Sequence, residues 1–279
     1  MDIISSNGAE ELTLCDCLKM FNRKERYWLI QNALGGLDEK GSIKQLPISY
    51  KFLKKIKDSL KDEKNVVFPK NRHNIWWAMD YHLNWIVGAL YLLKNGTPFK
   101  DNHNIIIPNI SAGSNKFSLI ESNQEDVDFI IAFDNTIILI EAKGVESWNT
   151  KQYERKCERI TLIKEVIERS ELRGKINVYF VLFSPKEPER LTKYIDCKDC
   201  QEKANKSKNM ANVISKCNKP CLKPKHINMI IRGEELILHD KSGKIKGFYT
   251  VTRYNGTEEK SESNTQWRIE PETNSRKYI

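Results

Sequence analysis

The sequence predicts a mixed α/β protein: a helical N-terminal part, a central α-β-β-β-α-β unit and a β-rich C-terminal extension. Several segments repeat apolar residues at helical spacing, whereas other short runs are rich in Val, Ile and Phe and are typical of strands. The length of 279 residues is enough to bury a substantial core, in one large domain or two smaller ones. A content of 39% hydrophobic and 30% charged residues is that of a globular protein.

Residues 1–71 are predicted to form a helical N-terminal region. The helical patterns lie in EELTLCDCLKMF, KERYWLIQNAL and YKFLKKIKDSLKDE. Gly35, Gly36 and Gly41 interrupt the periodicity between the second and third segments. We expect this region to be structural or to bind a partner.

Residues 72–190 are predicted to form the core. WWAMDYHLNWIVGALYLL is predicted as a helix because its large apolar residues recur at helical spacing. KFSLIE, VDFIIAF and TIILIEA are predicted as strands, NTKQYERKCERITLIKEVIERSEL as a long amphipathic helix, and KINVYFVLFS as a fully buried strand. This order is α-β-β-β-α-β.

Residues 191–279 form a basic extension that contains four of the seven cysteines. Between Leu191 and His226 there are nine lysines and three acidic residues, so this segment carries +6 of the net charge of +9. Such a surplus favours a polyanionic partner, because lysines that neutralise phosphates release condensed counterions. The alternative is a merely Lys-rich surface. The strand candidates INMIIRG, ELILH, GFYTVTRY and TQWRIE follow the basic segment.

The sequence predicts a cytoplasmic protein that does not cross a membrane. The longest nearly apolar run, 85–93, is about half the length of a bilayer-crossing helix. MDIISSNGAE lacks the basic start and the apolar middle of a signal peptide. An odd number of cysteines without an export signal favours reduced thiols or a metal site over disulfides.

The stretch DVDFIIAFDNTIILIEAKG carries the chemically informative pattern. Asp134 and Asn135 are typical of a tight turn between two strands, and a two-residue loop places Asp128 directly opposite Glu141. Asp126 then lies opposite Lys143, and side-chain alternation puts all four on one face. A three-residue loop would shift the register and break this pairing.

Two opposed carboxylates indicate a metal site. Cβ atoms about 5 Å apart imply a repulsion of about 3 kcal/mol at an effective dielectric constant near 20. A divalent cation such as Mg²⁺ or Mn²⁺ reverses the sign of this interaction, because one or two carboxylates commonly hold it together with waters and phosphate oxygens. Lys143, on the same face, could orient or deprotonate a nucleophile or stabilise charge developing on a phosphate.

This spacing of two acids and a lysine across adjacent strands resembles the PD-(D/E)XK nuclease superfamily, which has a restriction-endonuclease-like fold. The resemblance covers roughly residues 72–190. It implies Mg²⁺-dependent hydrolysis of phosphodiester bonds, with Asp128 and Glu141 as metal ligands and Lys143 as the catalytic lysine. Val127 stands where the motif usually has proline, and Asp126 and Asp128 compete for the position of the first acid. The register favours Asp128.

The surrounding pattern makes the motif specific. An acid-x-Lys tripeptide occurs six times in the chain, but only the copy at Glu141 ends an apolar strand that follows another strand headed by an acid. A chance hairpin with solvated acids is the alternative.

The two predicted helices of the core offer accessory groups. Gln152 resembles an accessory residue of several branches of the superfamily, and it forms a polar helical stripe with Lys156 and Arg159. Asp80 lies on the first predicted helix, from which members often take a further metal-binding acid. The alternatives are a solvated helix face for Gln152 and an ordinary surface acid for Asp80. His82 is assigned no role.

The cysteines of the extension suggest a structural zinc site. Cys197 and Cys200 form one close pair and Cys217 and Cys221 another, separated by a polar segment that cannot bury itself. Zn²⁺ bound by four thiolates could order this segment. The alternatives are four free cysteines in a mobile loop and an accidental clustering of cysteines.

These features together predict a metal-dependent endonuclease that acts on DNA, of a restriction or defence-like kind. The alternative is a non-catalytic module of the same fold that binds nucleic acid or another partner. A glycosidase would also use paired carboxylates, but Lys143 and the positive charge suit a phosphodiester better. RNA as substrate, exonuclease action and a homodimer all stay open.

Overall fold

The computed structural model describes residues 12–36, 45–63, 66–96, 104–109, 118–122, 125–144, 148, 150–185, 188 and 224–229, together with the backbone of four short C-terminal strands. Three helices come first: α1 (Leu14–Phe21), α2 (Glu25–Ala33) and α3 (Tyr50–Ser59). Side-chain caps explain two of their starts, because Thr13 accepts a hydrogen bond from the backbone of Asp16, and Ser49 accepts one from that of Phe52. The three helices predicted for the N-terminal region are confirmed.

A five-stranded mixed sheet follows, in the spatial order β1 (Trp76–His82), β2 (Asp126–Phe133), β3 (Thr136–Ala142), β4 (Asn177–Ser184) and β5 (Lys225–Asn228). The pairings β1–β2 and β2–β3 are antiparallel, whereas β3–β4 and β4–β5 are parallel. Helix α4 (Leu83–Asn95) connects β1 to β2, and helix α5 (Thr150–Glu168) is the crossover between β3 and β4. The chain is therefore a mixed α/β protein, as predicted.

Helices cover both faces of the sheet. On one face, the ring of Tyr153 in α5 stacks on that of Phe180 in β4, with centroids 6.0 Å apart. On the other face, Phe52 of α3 packs edge-on against Phe129 of β2 and Phe183 of β4. Because side chains alternate along a strand, Asp128 and Glu141 belong to the face that α5 covers.

The helix predicted over WWAMDYHLNWIVGALYLL is wrong in its first part. Residues 76–82 form strand β1, and the helix begins only at Leu83. Trp76, Trp77 and Ala78 are all buried, so this strand lacks the alternation of polar and apolar residues that marks a half-exposed strand. Its apolar residues matched the helical period by coincidence, and the aromatic residues were the better indication of a strand.

The predicted strand KFSLIE does not form in the residues that the structure describes there. Ser118 makes an isolated β-bridge, and the two residues after it lie in a bend. The third antiparallel strand is β1, which precedes α4 instead of following it. The strands predicted at VDFIIAF, TIILIEA and KINVYFVLFS and the long helix after them are confirmed.

The C-terminal extension contains two further antiparallel pairs. Strand β6 (Leu238–His239) pairs with β7 (Ile245–Lys246), and β8 (Tyr249–Tyr254) pairs with β9 (Gln266–Pro271). The strands predicted at GFYTVTRY and TQWRIE are thus confirmed. Most of the Lys-rich segment, residues 191–223, lies outside the described residues. No helix in the described part of the chain is both long enough and apolar enough to cross a membrane.

Candidate functional site

The candidate site lies where β2 and β3 separate. The hairpin has the predicted register, from Phe133 opposite Thr136 to Phe129 opposite Ile140, where the β2–β3 pairing ends. Beyond this point, β2 remains paired with β1 as far as Asp126, while β3 remains paired with β4 as far as Ala142. The two strands follow different neighbours, so the ladder between them opens at the next residues of the register, Asp128 and Glu141.

Asp128 bridges this opening with its side chain. One carboxylate oxygen, Oδ2, accepts a hydrogen bond of 2.6 Å from the backbone N–H of Ala142. A backbone donor that the ladder leaves free is thereby satisfied, and the carboxylate is fixed beside the end of β3. The side chain of Asp128 remains half-buried.

Glu141 lies on the same face and is 4% exposed. Its Oε2 atom accepts a hydrogen bond of 2.5 Å from the ammonium group of Lys156. Burial raises the pKa of Glu141 above its usual value, the negative charge of Asp128 raises it further, and the positive charges of Lys156 and Lys143 act against both. Two acids and two lysines therefore interact at one position of the sheet.

Lys156 is the member of this group for which sequence analysis predicted no defined role. It comes from helix α5, is 4% exposed, and forms a buried ion pair with Glu141. Its spacing could have indicated its position, because it follows buried Tyr153 by three residues and precedes buried Ile160 by four. That spacing places Lys156 on the packed side of the helix.

Lys143 and Gln152 lie at the edges of the group. Lys143 directly follows β3, is half-buried, and donates its backbone N–H to the carbonyl of Phe183 at 2.9 Å. Its positive charge lowers the pKa of Glu141, against the effect of burial, and its catalytic role stays a prediction. Gln152 is exposed on α5, one helical turn before Lys156.

Asp126, the competing candidate for the first acid, is engaged elsewhere. Its Oδ2 accepts a hydrogen bond of 2.7 Å from Lys24, and its Oδ1 contacts Nδ1 of His82. Both carboxylate oxygens therefore have basic partners. Asp126 therefore links the junction between α1 and α2 to the ends of β1 and β2. The β2–β3 pairing ends before it reaches Asp126 and Lys143, which were predicted to lie opposite each other.

Asp80 lies on strand β1 and not on a helix, which corrects the predicted location of this acid. Its φ angle is +49°, in the left-handed region that residues other than glycine rarely adopt. Its carboxylate forms an ion pair with Arg26 at 3.3 Å. Among the described residues, no group of three or more His, Cys, Asp and Glu side chains is arranged to hold a metal ion. Asp80 therefore does not complete a three-acid site with Asp128 and Glu141.

Arg159 is fully buried, so the polar stripe predicted for Gln152, Lys156 and Arg159 is not a solvated surface. Arg159 donates hydrogen bonds to Asn84 of α4 and to the carbonyl of Leu119, and it lies 3.6 Å from Glu125. Burial lowers the pKa of its guanidinium, while the nearby carboxylates raise it. Arg159 thereby links α5 to α4.

The residues present suit one hard divalent cation. Asp128 and Glu141 supply two carboxylates at one end of one hairpin, and Mg²⁺ commonly takes one or two protein carboxylates and fills its remaining positions with waters and phosphate oxygens. Such a cation would offset the repulsion between the acids. Glu141 already has a cationic partner in Lys156, with which a metal ion would compete.

The predicted zinc ligands Cys197, Cys200, Cys217 and Cys221 lie outside the described residues. Burial raises the pKa of Cys15 and of Cys17 to about 11, so both thiols are protonated at neutral pH. These two cysteines pack against the core.

No protein-family model matches the chain, and neither a curated protein nor a solved structure is significantly similar to it.

Proposed function

We propose that the protein is a divalent-metal-dependent nuclease that hydrolyses phosphodiester bonds of DNA. The observation that carries the proposal is the group formed by Asp128, Glu141 and Lys143 where β2 and β3 part. Two acids and a lysine on one face at the open end of a hairpin suit a bound cation and a phosphate group. The cation would be Mg²⁺ or Mn²⁺, held by the two carboxylates.

The chain's own residues have distinct roles in this proposal. When bound, the metal ion would supply Lewis-acid stabilisation of a phosphoryl oxygen and a more acidic water. Asp128 and Glu141 hold the cation, and the backbone N–H of Ala142 fixes the orientation of Asp128. Lys143 orients the attacking water or stabilises negative charge on the phosphate. Gln152, exposed one turn before Lys156, is an accessory contact to the substrate.

The order of elements supports a restriction-endonuclease-like core. Within residues 72–190 the order is β1, α4, β2, β3, α5 and β4, so that β1 precedes the helix. The order becomes α-β-β-β-α-β when α4 is taken as a connection and α3, which lies before residue 72, as the first helix. The resemblance to the PD-(D/E)XK superfamily implies such an α-β-β-β-α-β order. The acids lie on β2 and β3, the positions where the resemblance implies them.

The positive charge of the chain supports a nucleic acid as the substrate of the proposed reaction. The chain carries a net charge of +9, and most of that surplus lies in the Lys-rich segment between Leu191 and His226. The same segment contains the four cysteines proposed to bind a structural Zn²⁺, which would order the segment without taking part in the chemistry.

Incubation with nucleic acids in Mg²⁺ or Mn²⁺ tests the proposal. The purified protein is given plasmid, linear duplex, single-stranded DNA and RNA, and the products are resolved on gels. We expect the protein to cut DNA only with a divalent metal. Asp128→Ala, Glu141→Ala and Lys143→Ala should each reduce the rate by about 100-fold or more, since each removes a group that acts on the reacting atoms.

Asp134→Asn is the matched control. It removes one carboxylate from the same hairpin, at an exposed turn position whose φ of +44° asparagine readily adopts. This variant should cut like the wild type. The proposal fails if the pure wild type cuts no nucleic acid with either metal, or if Glu141→Ala cuts at the normal rate.

A non-catalytic module that binds nucleic acid or another partner is the second candidate. The buried ion pair between Glu141 and Lys156 favours it, because this pair already neutralises one of the two acids. DNA binding by the wild type without cleavage under any of these conditions would support this candidate.

A further inference from the structure

Lys156 is the one cation that the described structure places in hydrogen-bonding contact with Glu141. The side chains of the two residues are 4% and 6% exposed, and the nitrogen and oxygen atoms lie 2.5 Å apart. An isolated ammonium or carboxylate at this depth would lose its hydration without compensation, so each group depends on the other. The contact joins α5 to the end of β3.

The other charges near Glu141 show how a second cation would alter this pair. Asp128 on β2 adds a second negative charge, while Lys143 directly after β3 adds a positive one. A divalent cation between the two acids would bring further positive charge towards the ammonium of Lys156. Two cations that compete for one buried carboxylate repel each other, and the short contact of Glu141 with Lys156 cannot persist unchanged.

We propose that Lys156 is a displaceable counter-ion: it occupies Glu141 in the metal-free protein, and a divalent cation must replace it there. This inference rests on the proposed metal site and deepens it. Lys156 is a positioning residue that holds Glu141 in place before the metal ion arrives. The affinity of the site for metal is then set by the exchange of one cation for another, not by the carboxylates alone.

Calorimetric titration of the full chain with Mg²⁺ and Mn²⁺, without nucleic acid, tests the exchange. Lys156→Gln retains a hydrogen-bond donor for Glu141 and removes the charge. We expect it to bind metal about tenfold more tightly than the wild type or better, because the competing cation is gone. Lys156→Arg retains the charge and should bind no more tightly than the wild type. A purely structural lysine would not raise metal affinity when it is removed.

Arg169→Gln is the matched control. It removes one positive charge from the exposed end of the same helix, where Arg169 pairs with Glu165, and metal affinity should not change. Equal or weaker binding by Lys156→Gln, or no binding by either protein, overturns the proposal. Binding by Lys156→Gln alone supports it in its strongest form.

A measurement on the wild type covers the case in which Lys156→Gln does not fold. Lysine acetylation is followed by mass spectrometry with and without saturating Mg²⁺ or Mn²⁺. Modification of Lys156 should be slow in the metal-free protein and faster with metal, whereas exposed Lys175 should react equally in both. Protection of Lys156 that does not change with metal overturns the exchange.

The two proposals fail separately. If the wild type cuts DNA and Lys156→Gln binds metal no better than the wild type, the nuclease proposal stands and the counter-ion proposal fails. If the wild type cuts no nucleic acid and Lys156→Gln binds metal more tightly than the wild type, the counter-ion proposal stands and the nuclease proposal fails.

Discussion

Two aspartates separated by one residue have opposite surroundings in this protein. Asp126 is held by Lys24 at 2.7 Å and by His82, whereas Asp128 is held by one backbone N–H at 2.6 Å. A carboxylate whose two oxygens both contact basic side chains serves to hold the elements that carry those side chains together. Within the described part of the chain, Asp128 is held at one oxygen and retains capacity for a further ligand, which favours it over Asp126 as the proposed metal ligand.

Substitution of each aspartate should therefore have a different effect. We expect Asp126→Asn to lower the free energy of unfolding by about 1–2 kcal/mol, because it weakens hydrogen bonds to two basic groups in a site that is partly open to solvent. DNA cleavage should remain. Asp128→Asn should change stability less and abolish cleavage. Urea unfolding and a plasmid assay on both variants measure the two effects.

Asp134→Asn serves as the reference for both measurements, since it makes the same chemical change at an exposed position of the hairpin. Loss of cleavage in Asp126→Asn at full stability would exchange the roles of the two acids.

At the scale of elements, α1 and α4 pack closely at Gly88. A Cβ atom on Gly88 would lie 2.6 Å from Cζ of Phe21, well inside the normal contact distance. We expect Gly88→Ala to destabilise the protein by about 1 kcal/mol, because overpacking of about 1–3 kcal/mol exceeds a gain in helix propensity of about 1 kcal/mol. Urea unfolding measures the change.

A second background separates the two contributions. In Phe21→Leu, whose shorter side chain leaves room, Gly88→Ala should be neutral or stabilising. An equal loss of stability in both backgrounds would mean that the ring of Phe21 is not the obstacle and that another neighbour of α4 limits the space.

Some of the strands and helices could be predicted from the sequence, and others could not. The register of β2 and β3 was predictable, because a two-residue turn and a side-chain period of two leave one pairing that buries the apolar residues. Strand β1 was not, because burial of Trp76, Trp77 and Ala78 removes the alternation on which strand prediction relies. Helical segments with a polar face, such as α5, were recognised by their period.

The partners of the site acids were beyond sequence reasoning for a different reason. Lys24 reaches Asp126 from a segment 102 positions earlier in the chain, and Lys156 reaches Glu141 because α5 docks on the face of the sheet that carries this acid. The spacing of Lys156 indicates that it lies on the packed side of α5, but the partner of each lysine depends on the tertiary approach of two elements. The hairpin that carries Asp128 and Glu141 was predictable because its contacts are local, whereas the role of the two acids stays a prediction.

For the whole molecule, the uneven charge predicts how the proposed binding of DNA responds to salt. Lys203, Lys206 and Lys208 belong to the Lys-rich segment. Their joint replacement by glutamine should weaken binding similarly for all DNA sequences. It should also flatten the plot of log K against log salt by about 0.9 for each phosphate that is no longer neutralised. Fluorescence anisotropy at several salt concentrations, without divalent metal, measures both effects.

Lys51, Lys54 and Lys57, which are exposed on α3, provide the matched control. Their replacement by glutamine changes the net charge by the same amount. We expect the slope to change less than with the C-terminal triple variant. Equal slopes for the two variants would assign DNA binding to overall charge and not to the Lys-rich segment.

The opening between β2 and β3 has a consequence for how the chain folds. The hairpin that brings Asp128 opposite Glu141 closes through two turn residues, whereas pairing of β1 with β2 must close residues 83–125, and pairing of β4 with β5 must close residues 185–224. Loop-closure entropy favours the short connection, so the hairpin can form within microseconds while the outer strands arrive later. The two carboxylates are therefore brought together before α5 delivers Lys156. During that interval only Lys143 and solvent ions offset the repulsion between the two acids, so we expect the end of the hairpin to become rigid when α5 docks and not when the hairpin forms.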